Sequence, residues 1–438
     1  MLFNSQVPQV FNRMAIDTYS TEAQARKAET AKRLNYFHDA QLDELLTILA
    51  NYFSDVDKLQ VAALNIVNKI ISLLASTYTQ PPVREIINGT DKDKELYASF
   101  LETSQFDVKV KQATKYAKLL GTILLRPVWR NNRVEVDILT GNILDVETGD
   151  SPEDLKKVLI TDYGTGETVE EVEYSLWSQD TWQRLDWRGA TIAEETNPYN
   201  VLPFIPIFDF PPPSNMFWIP CNENLMSLQE AINLKITDLL YLIRMQSFGV
   251  GWKKDQGSKG GTLQVDPGSM IELGADGSIG FESQKAEINA VVEAIDKIWR
   301  WACISYGLSA SHVTTEPAPR QSGVAKQVDS KELAEMRRDD INNWRSIEKR
   351  TFDLVKLVHN THTFKKKYSS NASLSIDFYD PTKESTSAKD QAETNTILLE
   401  QEVISRVDII MQRNPDITTR EDALAFLLKV KEENKQFE

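Results

Sequence analysis

The chain has 438 residues, 41% of them hydrophobic, 9% aromatic and 26% charged, and it carries a net charge of −15 at pH 7. That length holds two or three domains or one elongated subunit, and the composition is that of an ordinary folded protein. The acidity excludes a generally basic, nucleic-acid-gripping surface as the main design, and two cysteines, Cys221 and Cys303, give neither a disulfide framework nor metal-ligand spacing and fit a reducing compartment.

The opening MLFNSQVPQVFNRMAIDTYS has no basic stretch followed by an apolar run, so no signal peptide is expected. TEAQARKAETAKRLNYF, from Thr21, reads as a charged helix, and helices are expected over 41–53 and 57–77. Within the latter, VAALNIVNKIISLLAS is the richest apolar run of the chain. Asn65, Asn68 and Lys69 interrupt it, and it falls short of the roughly 18 apolar residues of a membrane span. It reads as a buried helix of a soluble protein, and no membrane is expected as a partner. TQPPVRE stops it with paired prolines, and another helix is expected over 93–119.

The texture then changes. ILLRPVW, RVEVDIL and NILDVE are short runs rich in β-branched residues, with Asn131-Asn132 and Thr140-Gly141 as turns between them. KKVLITDY, EEVEYSLWS and WQRLDWRG extend the pattern toward a small, mostly antiparallel sheet with one face buried and one wet. NVLPFIPIFDFPPPSN is a proline-punctuated connector with an apolar strand inside, and a helix over 222–247 follows. Leu225, Leu228, Ile232, Ile236, Leu239, Leu240 and Ile243 make a stripe along that helix at three- and four-residue steps. Residues 248–284 switch to glycine and short strands, turning at Asp266-Pro267-Gly268 and Asp276-Gly277. Helix resumes over 286–306, so a small β module joins two helices at one end. After the hydroxyl-rich loop SASHVTTEPAPRQSGVAKQ, helix is expected from Ser322 to His359, then a strand in SLSIDFYDP and helices over 386–412 and 419–434, the second capped by Thr418 or Thr419.

A catalytic reading finds little to hold. His359 and His362 stand one helical turn apart, but no cysteine or carboxylate clusters with them, and a charged helix end accounts for the pair. Neither GxSxG nor HExxH occurs. GVGWKKDQGSKGG misses the phosphate-binding GxxxxGK[ST] pattern, because Ser258 separates Gly257 from Lys259 and no helix opens after it. No enzyme activity, metal or cofactor is expected. Trp252, Lys253, Lys254 and Lys259 read instead as a basic exposed tip on an acidic chain, either a partner-binding tip or a solvated hairpin. The loop reads either as plain surface or as a mobile element on a rigid scaffold. In the second case it presents Ser309, Ser311, His312, Thr314, Thr315, Arg320, Gln321 and Ser322 to a moving partner.

The order of parts, with LPFIPIFDF before the first paired helix, SGVAKQ opening the helix after the loop and SIDFYDP before the acidic tail, resembles a tailed-bacteriophage portal protein. The resemblance covers most of the chain and is strongest over 200–410. It implies an α+β, elongated subunit that assembles into a ring. Residues 1–221 would be the helical and β wing, 222–247 and 286–308 the two stem helices, 248–285 the clip, and 309–323 the tunnel loop around the channel. Residues 324–382 would return to the wing, and 383–438 would form a short helical crown. The implied function is a conduit for packaging and ejection of the genome and a docking platform at one capsid vertex. The implied partners are copies of the chain in a dodecamer, double-stranded DNA in the channel, the terminase large subunit, a head–tail adaptor, and the major capsid and scaffolding proteins. The implied location is the virion, with the host cytoplasm during assembly.

Physical chemistry agrees with that picture. A ring is built from heterologous contacts, and the paired helices carry Glu223, Glu230, Lys235, Asp238, Arg244, Glu293, Asp296, Lys297 and Arg300 beside their apolar stripe. Strong phosphate neutralisation would hold DNA still, whereas an acidic wall with a few contacts such as Arg320 lets it slide. Two alternatives remain. A nuclease or packaging ATPase needs a nucleotide or two-metal site, and an oligomeric scaffold without a channel leaves the β module between two helices unexplained. A membrane pore is disfavoured by the lack of a spanning segment.

Overall fold

The computed structural model describes residues 13–53, 56, 59–164, 168–214, 216–220, 223–248, 250–254, 278–282, 288–308, 331–364, 366–379, 395–401, 403–413 and 419–435. The fold is mixed α and β, divided into two compact units, 1–315 with 335–378 and 316–334 with 379–438.

The larger unit starts with the short helix α1 (Arg13–Asp17) and the helix α2 (Thr21–Phe37), where the Ser20 hydroxyl accepts from the Ala23 amide at 3.2 Å. α3 (Leu42–Leu49) follows. α4 runs over Ile66–Leu74, later than the expected start near 57. The reason lies in the asparagines that seemed to interrupt it. The Asn65 side chain accepts from the Asn68 amide at 3.0 Å, a cap that starts a helix rather than a break within one.

α4 ends at Leu74, several residues before the paired prolines expected to stop it; Pro81-Pro82 instead lead into a strand with no signal in the sequence, β1 (Val83–Ile87). The helix expected over 93–119 is two, α5 (Asp91–Ser104) and α6 (Phe106–Leu120), broken at Gln105, whose φ is 52°. Gly121 ends α6 at φ 74°; a β-carbon there would stand 2.9 Å from the Ile219 carbonyl, so the close turn into the sheet needs glycine.

β2 (Thr122–Arg130) and β3 (Arg133–Thr140) form a two-residue hairpin on Asn131-Asn132, both at positive φ, which matches the right-handed twist of the strands. β4 (Leu144–Thr148), β5 (Leu155–Asp162), β6 (Glu173–Ser178), β7 (Thr181–Leu185) and β8 (Thr191–Thr196) make an antiparallel five-stranded meander. β9 (Ile205–Phe208), inside the proline connector, pairs with β2 to complete a separate three-stranded sheet, β3-β2-β9.

The single half-wet sheet expected from alternation is therefore two sheets sharing a core. Leu124, Leu139, Leu144, Val158, Phe204 and Phe208 pack together across both. The next residue of β5, Leu159, points the other way, into a second cluster with Tyr174, Leu176, Leu185 and Ala15 of α1. Both faces of the meander are thus covered at its centre.

The remainder of this unit is the helix α7 (Asn224–Phe248), the hairpin β10 (Val250–Lys254) with β11 (Ser278–Glu282), α8 (Ile288–Ser305), the long helix α9 (Lys331–His362) from Glu335 onward, and β12 (Ser373–Asp377). α9 is about 48 Å long, and its expected first residues, 322–330, lie outside the described residues. β12 pairs antiparallel with β1. A buried ion pair also ties β1 to α9: Arg84 donates to both oxygens of Glu348, at 2.6 and 2.9 Å, with the Tyr78 hydroxyl donating to the same carboxylate at 2.6 Å.

In the smaller unit, α10 (Arg406–Arg413) packs with α11 (Arg420–Lys435). The single helix expected over 386–412 is interrupted: 395–400 are helical, and Ser405 then opens α10, its hydroxyl accepting from the Asp408 amide at 3.2 Å. Thr419 caps α11 in the same way, accepting from the Asp422 amide at 3.2 Å.

Candidate inter-subunit surface on the paired helices

α7 is held by polar groups as much as by its apolar stripe. Leu225 and Ile232 are buried, but so are Gln229, Asn233 and Thr237, spaced four residues apart on one face. Gln229 Oε1 accepts from the amides of Ile66 and Val67 at 2.9 and 3.2 Å, serving the open N-terminus of α4. Its Nε2 donates to the Leu64 carbonyl at 2.6 Å and to Asn233 Oδ1 at 2.9 Å. Asn233 in turn accepts from the Leu64 amide at 3.2 Å and donates to Gln41 at 2.9 Å. A buried amide network with every member served is rigid, so the first half of α7 is fixed to α3 and α4.

Beyond that anchor the helix surfaces, with Tyr241, Ile243 and Arg244 exposed. It leads into β10, and the β10–β11 hairpin, paired from Val250↔Glu282 to Lys254↔Ser278, turns the chain so that α8 packs back against α7. α8 is cleanly two-sided. Ala302 and Cys303 are fully buried, while burial pushes the Cys303 thiol pKa up, as befits a packing cysteine. The opposite face carries Val292, Glu293, Asp296, Lys297, Arg300, Trp301 and Ile304, all exposed. Trp301 is 61% and Ile304 66% exposed, which a lone folded subunit gains nothing from.

All four charged residues expected on the second stem helix therefore share this face. Glu293 and Lys297, like Asp296 and Arg300, are spaced for pairing along the helix, yet none of the four forms an ion pair among the described residues. On α7 the expected set divides. Arg244 is exposed, and Lys235 pairs with Asp238 at 2.9 Å on the surface. Glu230 turns inward instead, accepting from Lys32 Nζ at 2.8 Å and from the Tyr36 hydroxyl at 3.3 Å. Its charge is committed to α2. Trp252, Lys253 and Lys254 lie on β10; Lys259 lies outside the described residues, as do all eight expected loop residues, Ser309, Ser311, His312, Thr314, Thr315, Arg320, Gln321 and Ser322.

The histidine pair has a structural explanation. His362 stacks on Trp129 with ring centroids 5.4 Å apart and lies 2.9 Å from the Tyr199 hydroxyl, while His359 meets Tyr368 edge-on at 5.1 Å. Burial pushes both imidazole pKa values down. Among the described residues no group of three or more His, Cys, Asp or Glu side chains is placed to hold a metal, and no helix is long and apolar enough to cross a membrane.

Solved structures similar to the chain include three chains of a gene transfer agent (GTA) particle. One is from the virion of the native particle, with a TM-score of 0.43, 10% identity and coverage of 78% of this chain and 86% of that one. One is from the neck of the empty particle computed with C6 symmetry, at 0.47 and 10%, covering 80% and 90%. The third is from the neck of the native particle computed with C12 symmetry, at 0.43 and 11%, covering 78% and 88%. No protein-family model matches the chain, and neither does any curated protein. Likeness at this level carries no argument about function, which has to come from the chain's own residues.

Those residues include several that sequence reading missed. Gln229, Asn233 and Thr237 do not stand out in the sequence, because a polar residue beside an apolar stripe reads as the edge of the wet face. Their signal was the four-residue spacing itself, three short polar side chains in line on one helix. Trp301 and Ile304 fall in the helix expected over 286–306, and the sequence alone does not tell which of its apolar residues face out.

Proposed function

We propose that the chain is the subunit of a ring-shaped conduit for duplex DNA, a portal-type head–tail connector at one vertex of a virion. The observation that carries this reading is the outward face of α8. Trp301 and Ile304 stand exposed among Glu293, Asp296, Lys297 and Arg300, on a helix whose other face is packed against α7. An apolar strip rimmed by unpaired charges of both signs is what a partner surface requires. A neighbour offering a different face supplies the heterologous contact that closes into a ring.

The hairpin at the end of the helix pair gives the ring a projecting tip, the expected docking point for terminase and then for a head–tail adaptor. The net charge of −15 keeps phosphates off the wall, so DNA slides rather than binds. In this reading the chain hydrolyses nothing; the motor is a separate partner, and capsid and scaffolding proteins hold the ring at the vertex. A dodecamer is the expected count in the virion.

The test is Ile304→Asp in the full chain, which puts a charge into the apolar strip beside Trp301, where docking of a neighbour would have to desolvate it. Sedimentation velocity is expected to show the wild type as a large oligomer and the variant as monomer, with unchanged circular dichroism. A variant that assembles as the wild type does would remove α8 from the interface and the reading with it.

A further inference from the structure

The described residue most out of place in water is neither on α7 nor on α8. Phe364, just past the end of α9, is 91% exposed, more than any other large apolar side chain of the described residues. It opens the sequence Phe-Lys-Lys-Lys, of which Lys366 and Lys367 are exposed too. Phe364, Lys366 and Lys367 are flanked by two fixed anchors. On one side His362 is stacked on Trp129. On the other, Tyr368 is 4% exposed, and the Asn360 side chain clamps its backbone, accepting from its amide at 2.7 Å and donating to its carbonyl at 3.0 Å. A phenylalanine held out by such anchors is presented rather than merely left uncovered.

At the other end of the same helix lies a groove of about 960 Å³, walled by Phe208, Phe210, Pro211, Pro212 and Met336. Phe210 is 49% exposed there. The polar rim carries four carboxylates, Glu153, Asp209, Asp339 and Asp340, against one ammonium, Lys118, and Glu153 is paired from outside the groove with Arg350 at 3.1 Å. Lys118 is already shared between Asp209 at 2.7 Å and Asp340 at 2.9 Å. Asp340 is 8% exposed, yet its Oδ2 has no hydrogen-bond partner among the described residues. Burial pushes its carboxyl pKa up; Lys118 opposes this, and the nearby Asp209 and Asp339 add to it. The groove thus has apolar walls, surplus negative charge and a buried oxygen short of a donor.

We propose that the Phe364–Lys367 knob of one copy docks in this groove on the next copy, Phe364 entering the apolar walls and its lysines answering the carboxylates. The groove is roughly large enough for such a side chain and its neighbours. A knob cannot fill its own groove, because 22 residues of α9 between Asp340 and His362 hold the two about 33 Å apart. The contact is between different surfaces of two copies, the head-to-tail kind that generates rings or filaments. It deepens the ring reading and rests on it for closure, though not for the contact itself.

The experiment mixes two full-length variants, Lys366→Cys, which keeps Phe364, and Asn342→Cys, oxidises them and counts covalent dimers on a non-reducing gel. Disulfide geometry requires α-carbons within about 7 Å, a distance only an intermolecular contact supplies. Each variant oxidised alone gives the background from the native cysteines. The expected result is a heterodimer in the mixture only. Adding Lys367→Glu to the knob variant should lower its yield about tenfold, and Asp339→Lys in the groove variant should restore it. Cross-linking that ignores the charge reversal would overturn the complementarity. Closed rings in electron micrographs of a mixture that does not cross-link would overturn this contact and leave the ring reading standing. Monomers without cross-links would overturn both.

Discussion

Replacing Glu348 by glutamine tests how α9 is fastened to the rest of its unit. The Glu348 side chain is fully buried and that of Arg84 3% exposed, and the carboxylate accepts three hydrogen bonds, two from Arg84 and one from Tyr78. Burial lowers the Arg84 pKa, but the hydrogen bonds and charge of Glu348 outweigh it and raise the pKa overall, so the guanidinium stays charged. Removing the carboxylate charge leaves that cation with Asp107 alone, at 2.6 Å but with a side chain 45% exposed and therefore screened. Breaking a buried pair in this way costs about 3–5 kcal/mol. At roughly 2 °C per kcal/mol for a large domain, the melting transition falls by about 6–10 °C. Asp107→Asn removes an ion pair of similar length but in water's reach and costs under about 1 kcal/mol. Differential scanning calorimetry of the two variants decides the matter, with fluorescence of Trp344, 5.3 Å from the Tyr78 ring, as a local readout. Equal losses in the two variants would refute the argument that burial, not distance, sets the strength of this anchor.

Further outcomes follow from the same structure. Gln229→Leu keeps the volume but leaves the Ile66 and Val67 amides of α4 unserved, so stability should fall by about 1–3 kcal/mol, read as a lower urea midpoint. Asp93 is fully buried; burial raises its pKa, but hydrogen bonds from Thr90 and Ser369 outweigh this and hold the carboxyl well below the usual range. Its contribution is therefore present above about pH 4 and lost as the pH falls toward the folded value. Asp93→Asn should flatten the acid limb of stability against pH. His359, half-buried, and His362, in contact with Trp129 and Tyr199, act higher on the scale. Their folded pKa values lie below the unfolded value of about 6.5, so the unfolded chain takes up protons first and stability declines as the pH drops through that window. His359→Phe should reduce the difference between urea midpoints measured near pH 7.5 and 5.5. Shortening 311–320 should leave assembly intact and impair DNA packaging or retention, measured as nuclease-protected DNA per particle; normal retention would remove the loop from the channel.

Local chemistry was readable wherever it was self-contained. Asn131-Asn132 announced a two-residue hairpin because asparagine tolerates positive φ at both positions. The β module between two helices showed as an abrupt change of composition, and β10 and β11 are where it falls. What failed depended on partners far away in the chain. β1 is five residues long and has meaning only beside β12. The break between α5 and α6 rests on Gln105 at positive φ, a conformation that glutamine does not advertise. Glu230 looked like any charged residue on a helix face, and only the fold brings Lys32 of α2 to it. The exposed strip of α8 was partly legible. Its charges stood at three- and four-residue steps, while the outward position of Trp301 and Ile304 follows from which side of the helix meets α7.

The central claim is that copies of this chain close around a hole. Electron microscopy of the purified full chain, with single particles viewed end-on, measures it directly. The account predicts closed rings, with a central opening wide enough for duplex DNA and the hairpin tips at one end. Solid dimers, open bundles or filaments would contradict it.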